Sequence, residues 1–404
     1  MVKAVTAVAV AALALLATGS AQPRTHASNG PLGLVGDGTT SSLVQLNAKN
    51  LRPVPGRRLD LGLFAGAWAY SPDRANLALG LNGPAAEPQA SLRFVEVATL
   101  SSQGNLPLGP GYFYGAAWLA SDRLAAITDH ADEVELWVVD PSHRRIVSTT
   151  ALPDAPIQTR QAGDHLLVLS RGAVPILTIV DGRGSVRDLK LDRLGGGLQA
   201  LAVTPDGRHA YVAAPSGLIA DVNTGSLSIA YHGPLGDLTS SRSSAEVLPT
   251  GQLAVAGWRQ VHYVDSIQNR TRFVGTGLIL VDTGTWSAQR VDYSSARIAV
   301  VGKTMLATGS AWGGGTFYFS TSGTGPPRPV GDGLTSYSLS GSPRFHRFNG
   351  KDVYVDQTYE KRSFVSVDNA GAQLQVVDVR TGKVVGTRAL ETLPWILQGA
   401  SSTR

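Results

Sequence analysis

A short apolar run that ends in an acidic, amide or hydroxyl residue before a tight turn recurs eight times along the chain. The copies are VQLN at Val44, VEVAT at Val95, VVDP at Val138, IVDG at Ile179, ADVNTG at Ala220, LVDTG at Leu280, FSTSG at Phe319 and VVDVRTG at Val376. The positions taken as equivalent are Gln45, Glu96, Asp140, Asp181, Asp221, Asp282, Ser320 and Asp378, about 48 residues apart on average. Such a period marks one supersecondary unit that cannot bury its apolar faces alone.

The copy from Leu201 to Tyr231 shows what the unit contains. Four short apolar runs are separated by a Pro-Asp-Gly turn, a loop and an Asn-Thr-Gly turn. These turn residues predict consecutive hairpins and therefore a four-stranded antiparallel sheet. Repeated radially, the sheets bury their faces on one another, which predicts an all-β protein with a β-propeller fold. The repeat count predicts eight blades; seven is the alternative, because the copy at Phe319 is the weakest.

The turn between the first and second strands occurs one time fewer than the third strand. It is found at Ser71, Ser121, Ala162, Thr204, Leu248, Val300 and Phe348. We therefore expect the propeller to begin midway through a blade, with strands near 32–35, 43–46 and 52–58. The C-terminal segment LPWILQGA, from Leu393, is predicted to add the missing innermost strand and close the ring.

The segment VTPDGRHAYVA, followed by DVNTG or VVDVRTG, is similar to the YVTN and quinoprotein-like repeats of secreted bacterial β-propellers. The resemblance covers nearly all of the chain after residue 31. It implies the fold and no single activity, since this superfold hosts sensors, scaffolds, lactonases, lyases and dehydrogenases. No residue cluster matches the catalytic set of any of these enzymes.

Residues 1–21 resemble a secretory signal peptide, with Lys3 before an apolar stretch and Gly19-Ser20-Ala21 at the expected cleavage site. An uncleaved anchor is the alternative. Residues 22–31 are then a linker and residues 32–404 a single propeller domain. The predicted location is secreted, cell-envelope or periplasmic. The chain has no cysteine, so ring closure and sheet packing must replace disulfides.

The formal net charge is +5, and the basic residues are spread out rather than clustered. This distribution argues against nucleic-acid binding. No other segment is long and apolar enough to span a membrane. The expected form is a monomer that binds a protein, a peptide or a glycan.

Two insertions fall in loops between second and third strands, which emerge on the same side of a propeller as the crossings between blades. They are 259–276, with His262, Tyr263 and Arg270, and 357–371, with Tyr359 and Arg362. A further crossing spans 232–244. Insertions gathered on one side of a repeat protein often mark its binding face. The alternative is surface length that is tolerated without a partner.

The innermost strands alternate between bulky and small or polar residues, and we expect the second set to face the central channel. This places Arg160, Glu246 and Arg297 at one depth and Arg347 nearby. Such a set could bind an anionic ligand through forked hydrogen bonds; an ion network that satisfies itself is the alternative. Glu246 is the candidate general base. His346 is the candidate acid, although it falls on the packing side of its strand.

Asp129, Asp132 and Glu133 form the densest set of oxygen ligands, and calcium is the ion they would suit. A solvated acidic loop is the alternative. No cofactor is predicted, and no nucleophile elbow, zinc-protease motif or phosphate-binding loop occurs. The sequence thus favours a secreted non-catalytic binding protein. A lactonase-like hydrolase or lyase acting at the channel is the alternative, and a quinone-dependent dehydrogenase rests on the repeat resemblance alone.

Overall fold

The computed structural model describes sixteen segments of the chain. They are residues 32–36, 40–47, 52–84, 86–130, 133–235, 241–265, 268–291, 295–301, 304–310, 313–320, 328–329, 344–348, 351–359, 372–378, 383–390 and 395–396. Within these segments the regular structure is β-strand, and no helix occurs. Accordingly, the described residues provide no helix with the length and apolar character needed to span a membrane.

The first four sheets in chain order, sheets 1 to 4, contain strands β1–β15 and the last strand, β32. Their strands are β1 Leu32–Gly36, β2 Ser41–Leu46, β3 Pro53–Asp60, β4 Phe64–Tyr70, β5 Asn76–Asn82, β6 Gln89–Glu96, β7 Ser101–Pro110, β8 Tyr112–Ala120, β9 Arg123–His130, β10 Glu133–Asp140, β11 Arg145–Leu152, β12 Pro156–Ala162, β13 His165–Ser170, β14 Ile176–Val180, β15 Val186–Lys190 and β32 Trp395–Ile396.

The remaining strands form sheets 5 to 8 in the same way. They are β16 Ala200–Val203, β17 His209–Ala213, β18 Ile219–Asn223, β19 Ile229–His232, β20 Ser241–Val247, β21 Leu253–Asp265, β22 Gln268–Val281, β23 Ala288–Arg290, β24 Ser295–Val301, β25 Thr304–Ser310, β26 Gly313–Ser320, β27 Arg328–Pro329, β28 Arg344–Phe348, β29 Lys351–Tyr359, β30 Ala372–Asp378 and β31 Lys383–Leu390.

Each sheet has four antiparallel strands, and in sheets 2 to 8 the strand order follows the chain. Sheet 1 differs, because its order is β3-β2-β1-β32 and Gly33 and Leu34 of β1 pair with Ile396 and Trp395 of β32. The first strands of successive sheets contact one another from β4 to β28. This stacking of four-stranded antiparallel sheets is the β-propeller arrangement that the repeat predicts.

In sheets 4 to 6 the polar residue at the end of the third strand holds the following turn. The side-chain oxygens of Asp181 and Asp282 accept two backbone N–H groups each, from residues two to four positions later. In sheet 5 this role belongs to Asn223, whose Oδ1 accepts from Gly225 and Ser226. The equivalence assigned to Asp221 was therefore wrong by two residues. Gln45 was likewise misplaced: its Oε1 accepts from Arg57, and the backbone of Asn47 opens the turn in sheet 1.

Both sides of the first strands pack between sheets. Leu201 lies in a core cluster with Leu167 of sheet 4, whereas its neighbours Ala200 and Ala202 pack with Ala245 of sheet 6. The expectation that one set of alternating residues faces the channel was therefore wrong at these positions. A radial sheet turns its two faces toward its neighbours, so only the edge of its first strand borders the axis.

Polar side chains of one sheet bind the first strand of the next sheet. The backbone N–H groups of Ala65, Phe113 and Leu201 donate to Ser41 Oγ at 3.1 Å, Asn82 Oδ1 at 2.6 Å and Gln158 Oε1 at 2.7 Å, respectively. Ser244 Oγ accepts from Ile298 N at 3.2 Å and donates to Ile298 O at 3.1 Å. Gln158 and Ser244 are therefore polar because they satisfy an exposed strand edge.

The antiparallel order gives the sheets two distinct ends. We call the end with the turns after first and third strands, such as 204–208, the turn face. The opposite end, with the second-to-third connections and the crossings between sheets, is the loop face. Near the loop face, five first strands contain a β-bulge at the same depth. The extra residues are Gly66, Tyr114, Ile157, Ser243 and Ala296.

Candidate functional site

Arg160 and Glu246 meet across the inner edge of sheet 5. Arg160 Nη2 lies 3.2 Å from Glu246 Oε1, although β12 and β20 belong to sheets 4 and 6. The side chains are 32% and 33% exposed, so water reaches the pair. The structure brings these two predicted channel residues together. Their ligand-binding role stays a prediction.

Two opposing effects act on the pKa of Glu246 in this ion pair. Burial raises the pKa of the Glu246 carboxyl above its ordinary value, and the smaller opposing effect is the positive charge of Arg160. In addition, Arg160 Nε is buried and has no hydrogen-bond partner among the described residues. An N–H group without an acceptor and a carboxyl with a raised pKa could together bind an oxyanion or exchange a proton with a ligand.

The other predicted channel residues are described only by their backbone. Arg297 lies on β24 opposite Thr308. Arg347 and His346 lie on β28, opposite Asp352 and Val353. Their side chains lie outside the described part of the structure, so their place in an anion site stays a prediction.

The insertion at 259–276 is a continuous hairpin rather than an irregular loop. β21 and β22 pair from Arg259–Val274 out to Asp265–Gln268, beyond the last residue of β21 that pairs with β20. These seven residue pairs extend the hairpin by about 20 Å. We call residues 259–265 and 268–274 the ribbon. It projects from the loop face, and the side chain of His262 is exposed.

Of the predicted partner residues on the ribbon, Tyr263 and Arg270 lie directly opposite one another. Tyr359 is the last residue of β29 and pairs with Ala372. Arg362 lies outside the described residues, as do most of insertion 357–371 and residues 236–240 of the crossing 232–244. Residues 1–31, which include the predicted signal peptide and linker, lie outside them as well.

Two of the predicted calcium ligands lie on neighbouring strands of sheet 3. Asp129 belongs to β9 and Glu133 to β10, where Glu133 pairs with His130. Asp132 lies outside the described residues. Within the described part of the chain, no three His, Cys, Asp or Glu residues are grouped so that they could hold a metal ion. The calcium site stays a prediction.

Sequence reasoning overlooked two exposed tyrosines at the start of β8, on the loop face. Tyr112 is 45% exposed and Tyr114 is 40% exposed. Nothing in the segment GPGYFYG signals the bulge that places Tyr114. The signal that could have identified Tyr114 is an aromatic residue at a position where other first strands carry Gly66, Ile157, Ser243 and Ala296.

Comparisons with known proteins support the fold. No protein-family model matches the sequence, and the search of curated proteins gives no match. The structure is similar to that of the dihydro-heme d1 dehydrogenase NirN in complex with DHE, with a TM-score of 0.61 and 12% identity over 94% of this chain and 77% of that one. It is also similar to Kuenenia stuttgartiensis hydrazine synthase, with a TM-score of 0.46 and 15% identity over 67% of this chain and 80% of that one. These are β-propeller proteins, and the likeness to NirN identifies the chain as one in fold.

Proposed function

We propose that this chain is an exported, non-catalytic β-propeller that binds a protein, peptide or glycan through its loop face. In this proposal residues 32–404 form one monomeric domain of eight blades, and β32 closes the ring by pairing with β1. Residues 1–21 direct the chain to the cell envelope or the exterior. The proposed fold gives the protein a rigid disc that presents long connections on one side.

The ribbon is the observation that carries this proposal. Its strands pair with one another and with no other described strand, so the propeller core does not need it. Ordering fourteen residues into a projecting hairpin costs conformational entropy. A partner that contacts both the ribbon and the surrounding loop face would account for this extension.

Site-specific photocrosslinking tests the use of this face. A photoreactive amino acid replaces His262 in the full chain, and the control places it at Arg208, which is exposed on the turn face. Irradiation of whole cells that export the protein should give adducts from position 262 and none from position 208. Equal labelling from the two faces, or no adduct from the ribbon, would contradict the proposal.

A shortened ribbon tests whether the core is independent of it. Replacing 261–272 with Asn-Gly joins Gln260 to Phe273, which are opposite each other in the hairpin, through a two-residue turn. The variant should keep the unfolding temperature of the parent chain to within a few degrees and should no longer capture, in a pull-down, the partner that crosslinks to position 262 of the full chain. Loss of the folded state would show that the ribbon serves the core instead.

A channel ligand is the second candidate function, and the Arg160–Glu246 pair favours it. A small oxyanion could accept from the unpartnered Arg160 Nε, while Glu246 supplies or accepts a proton, as a hydrolase or lyase would require. Arg297 and Arg347 would complete the anion site. Thermal unfolding with phosphate, citrate and glucarate should show a rise in melting temperature that Arg160→Gln removes and Arg208→Gln keeps. An equal rise in both variants would exclude the channel.

A further inference from the structure

The loop-face end of the gap between sheets 3 and 4 contains a mixed aromatic and polar surface. Tyr112 and Tyr114 come from β8, Asp129 from β9, and Arg171 and Val174 from the connection between β13 and β14. The two tyrosines and Val174, which is 38% exposed, are three of the five large apolar or aromatic side chains most exposed among the described residues. We call these five residues and Ser170 the tyrosine cleft.

Strand pairing shows which side chains of sheet 3 face sheet 4 in the cleft. Tyr112 pairs with Asp129, and Asp129 pairs with Val134, so these side chains lie on one face of sheet 3. Val134 belongs to the core cluster shared with Leu166 and Val168 of sheet 4. Tyr112 and Asp129 therefore face sheet 4 at the outer end of this gap.

Ser170 lies on the opposite wall of the same gap. Residues on β13 alternate: Leu167 and Leu169 pack toward sheet 5, whereas Leu166 and Val168 pack toward sheet 3. Ser170 continues the second set. It is 0% exposed, and its Oγ has no hydrogen-bond partner among the described residues. An unpartnered buried hydroxyl costs free energy, which a polar ligand group entering the gap would recover.

Tyr114 is positioned by the bulge between Phe113 and Gly115. Bulges often re-aim a side chain beside a functional site. Burial raises the pKa of the Tyr114 phenol; the positive charge of Arg171 lowers it and the negative charge of Asp129 raises it further. The Tyr114 phenol is thus close enough to Arg171 and Asp129 to feel both charges, and the residue as a whole is 40% exposed.

We propose that the tyrosine cleft binds a neutral glycan, with a sugar ring packed against Tyr112 and Tyr114 and its hydroxyl groups bonded to Asp129, Arg171 and Ser170. A sugar ring has an apolar C–H face and a rim of hydroxyls, and this matches aromatic surfaces beside polar groups. The opposite charges of Asp129 and Arg171 offset one another, so neither an anion nor a cation is favoured.

An extended peptide fits the cleft less well. Strand addition to a sheet edge needs free backbone groups. The N–H of Phe113, between the two tyrosines, already donates to Asn82 Oδ1. The inference rests on the proposed function only because both use the loop face; the ribbon and the tyrosine cleft lie on different sheets.

A printed array of neutral and acidic oligosaccharides, followed by calorimetric titration of the strongest neutral hexasaccharide, tests the inference. Tyr114→Ala should raise the Kd at least tenfold, Tyr112→Ala should weaken binding in the same direction, and Tyr114→Phe should keep the Kd within threefold. The matched control is Tyr231→Ala. Tyr231 also lies beside an arginine and an aspartate: its hydroxyl donates to Asp192 at 3.0 Å, and its ring lies 5.0 Å from Arg193. It differs in location, because it lies on the outer strand of sheet 5. The Tyr231→Ala variant should bind the glycan like the parent chain.

The inference is overturned if no neutral glycan binds, if only acidic glycans bind, or if folded Tyr112→Ala and Tyr114→Ala variants bind like the parent. The shortened-ribbon variant separates the two proposals. Glycan binding by that variant, together with loss of the partner that crosslinks to position 262 of the full chain, supports both. Glycan binding by a parent chain that gives no ribbon adduct refutes the ribbon proposal and supports the cleft. Ribbon adducts without glycan binding refute the cleft alone.

Discussion

Removing the Ser244 hydroxyl gives a direct test of how neighbouring sheets are joined. Ser244 is 1% exposed and Ile298 is fully buried. One oxygen accepts from the Ile298 N–H and donates to the Ile298 carbonyl, so Ser244→Ala deprives two backbone groups of partners at once. The change removes a single atom and leaves the packing volume almost unaltered.

The expected loss of stability follows from those two groups. A buried polar group left without a partner costs about 1–3 kcal/mol. Because both groups belong to a fully buried residue, the free energy of unfolding should fall by about 2–6 kcal/mol. If the hydroxyl contributed only to local packing, its removal would lower the free energy of unfolding by less than about 0.5 kcal/mol, the usual range for surface changes.

Equilibrium unfolding in urea measures this difference, with Ser226→Ala as the control. Ser226 is an exposed serine on the turn face whose Oγ lies 2.9 Å from Ser228 Oγ. The control should unfold at the parent's midpoint, and Ser244→Ala at a clearly lower one. If the two variants unfold alike, side-chain bonding to strand edges does not hold the sheets together.

Two further predictions concern a turn and the Glu246 carboxyl. Arg74 has a φ of 59° at the position where the equivalent turn of sheet 5 has Gly207, with a φ of 71°. Arg74→Gly should therefore stabilise the protein by about 0.5–1 kcal/mol in thermal unfolding, and Arg208→Gly, next to a turn that already has its glycine, should not. Glu246 has a raised pKa in the folded chain, so its stabilising contribution is complete below the unfolded pKa near 4 and is lost as the pH rises through the folded value. The melting temperature of the parent minus that of Glu246→Gln should thus decline between pH 4 and pH 8. The same difference for the exposed-site variant Glu87→Gln should change little over this range. A Glu246 difference that is independent of pH would count against the raised pKa.

The sequence predicts the sheets well because turn chemistry is local. Asp181 and Asp282 accept N–H groups a few residues away, and a pattern of apolar runs and turn residues reports that directly. The side toward which a first-strand residue points was not predictable in this way. Gln158 and Ala200 looked like channel residues, yet their roles depend on which sheet stands beside them, and no local pattern records that.

The candidate sites also differ in whether a local sequence pattern predicts them. The Arg160–Glu246 pair was found because identical strand positions were compared between repeats. Tyr114 was overlooked because a β-bulge changes the alternation, and a bulge has no sequence signature here. The ribbon was identified as an insertion but not as a hairpin, since its residues carry no clear turn dipeptide.

The hydrogen bonds that join the sheets also have a direction. Acceptors at Ser41, Asn82 and Gln158 each serve the sheet that follows in the chain, while Trp118 Nε1 and Gln161 Nε2 reach back to carbonyls of the sheet before. Successive sheets therefore associate head to tail, as subunits do in a heterologous assembly. A chain that has not yet received its final sheets presents unpaired acceptor side chains at its growing end, and a first strand of a second copy carries the N–H groups that fit them. Exchange of terminal sheets between copies is thus the misassembly to which this architecture is most exposed during synthesis.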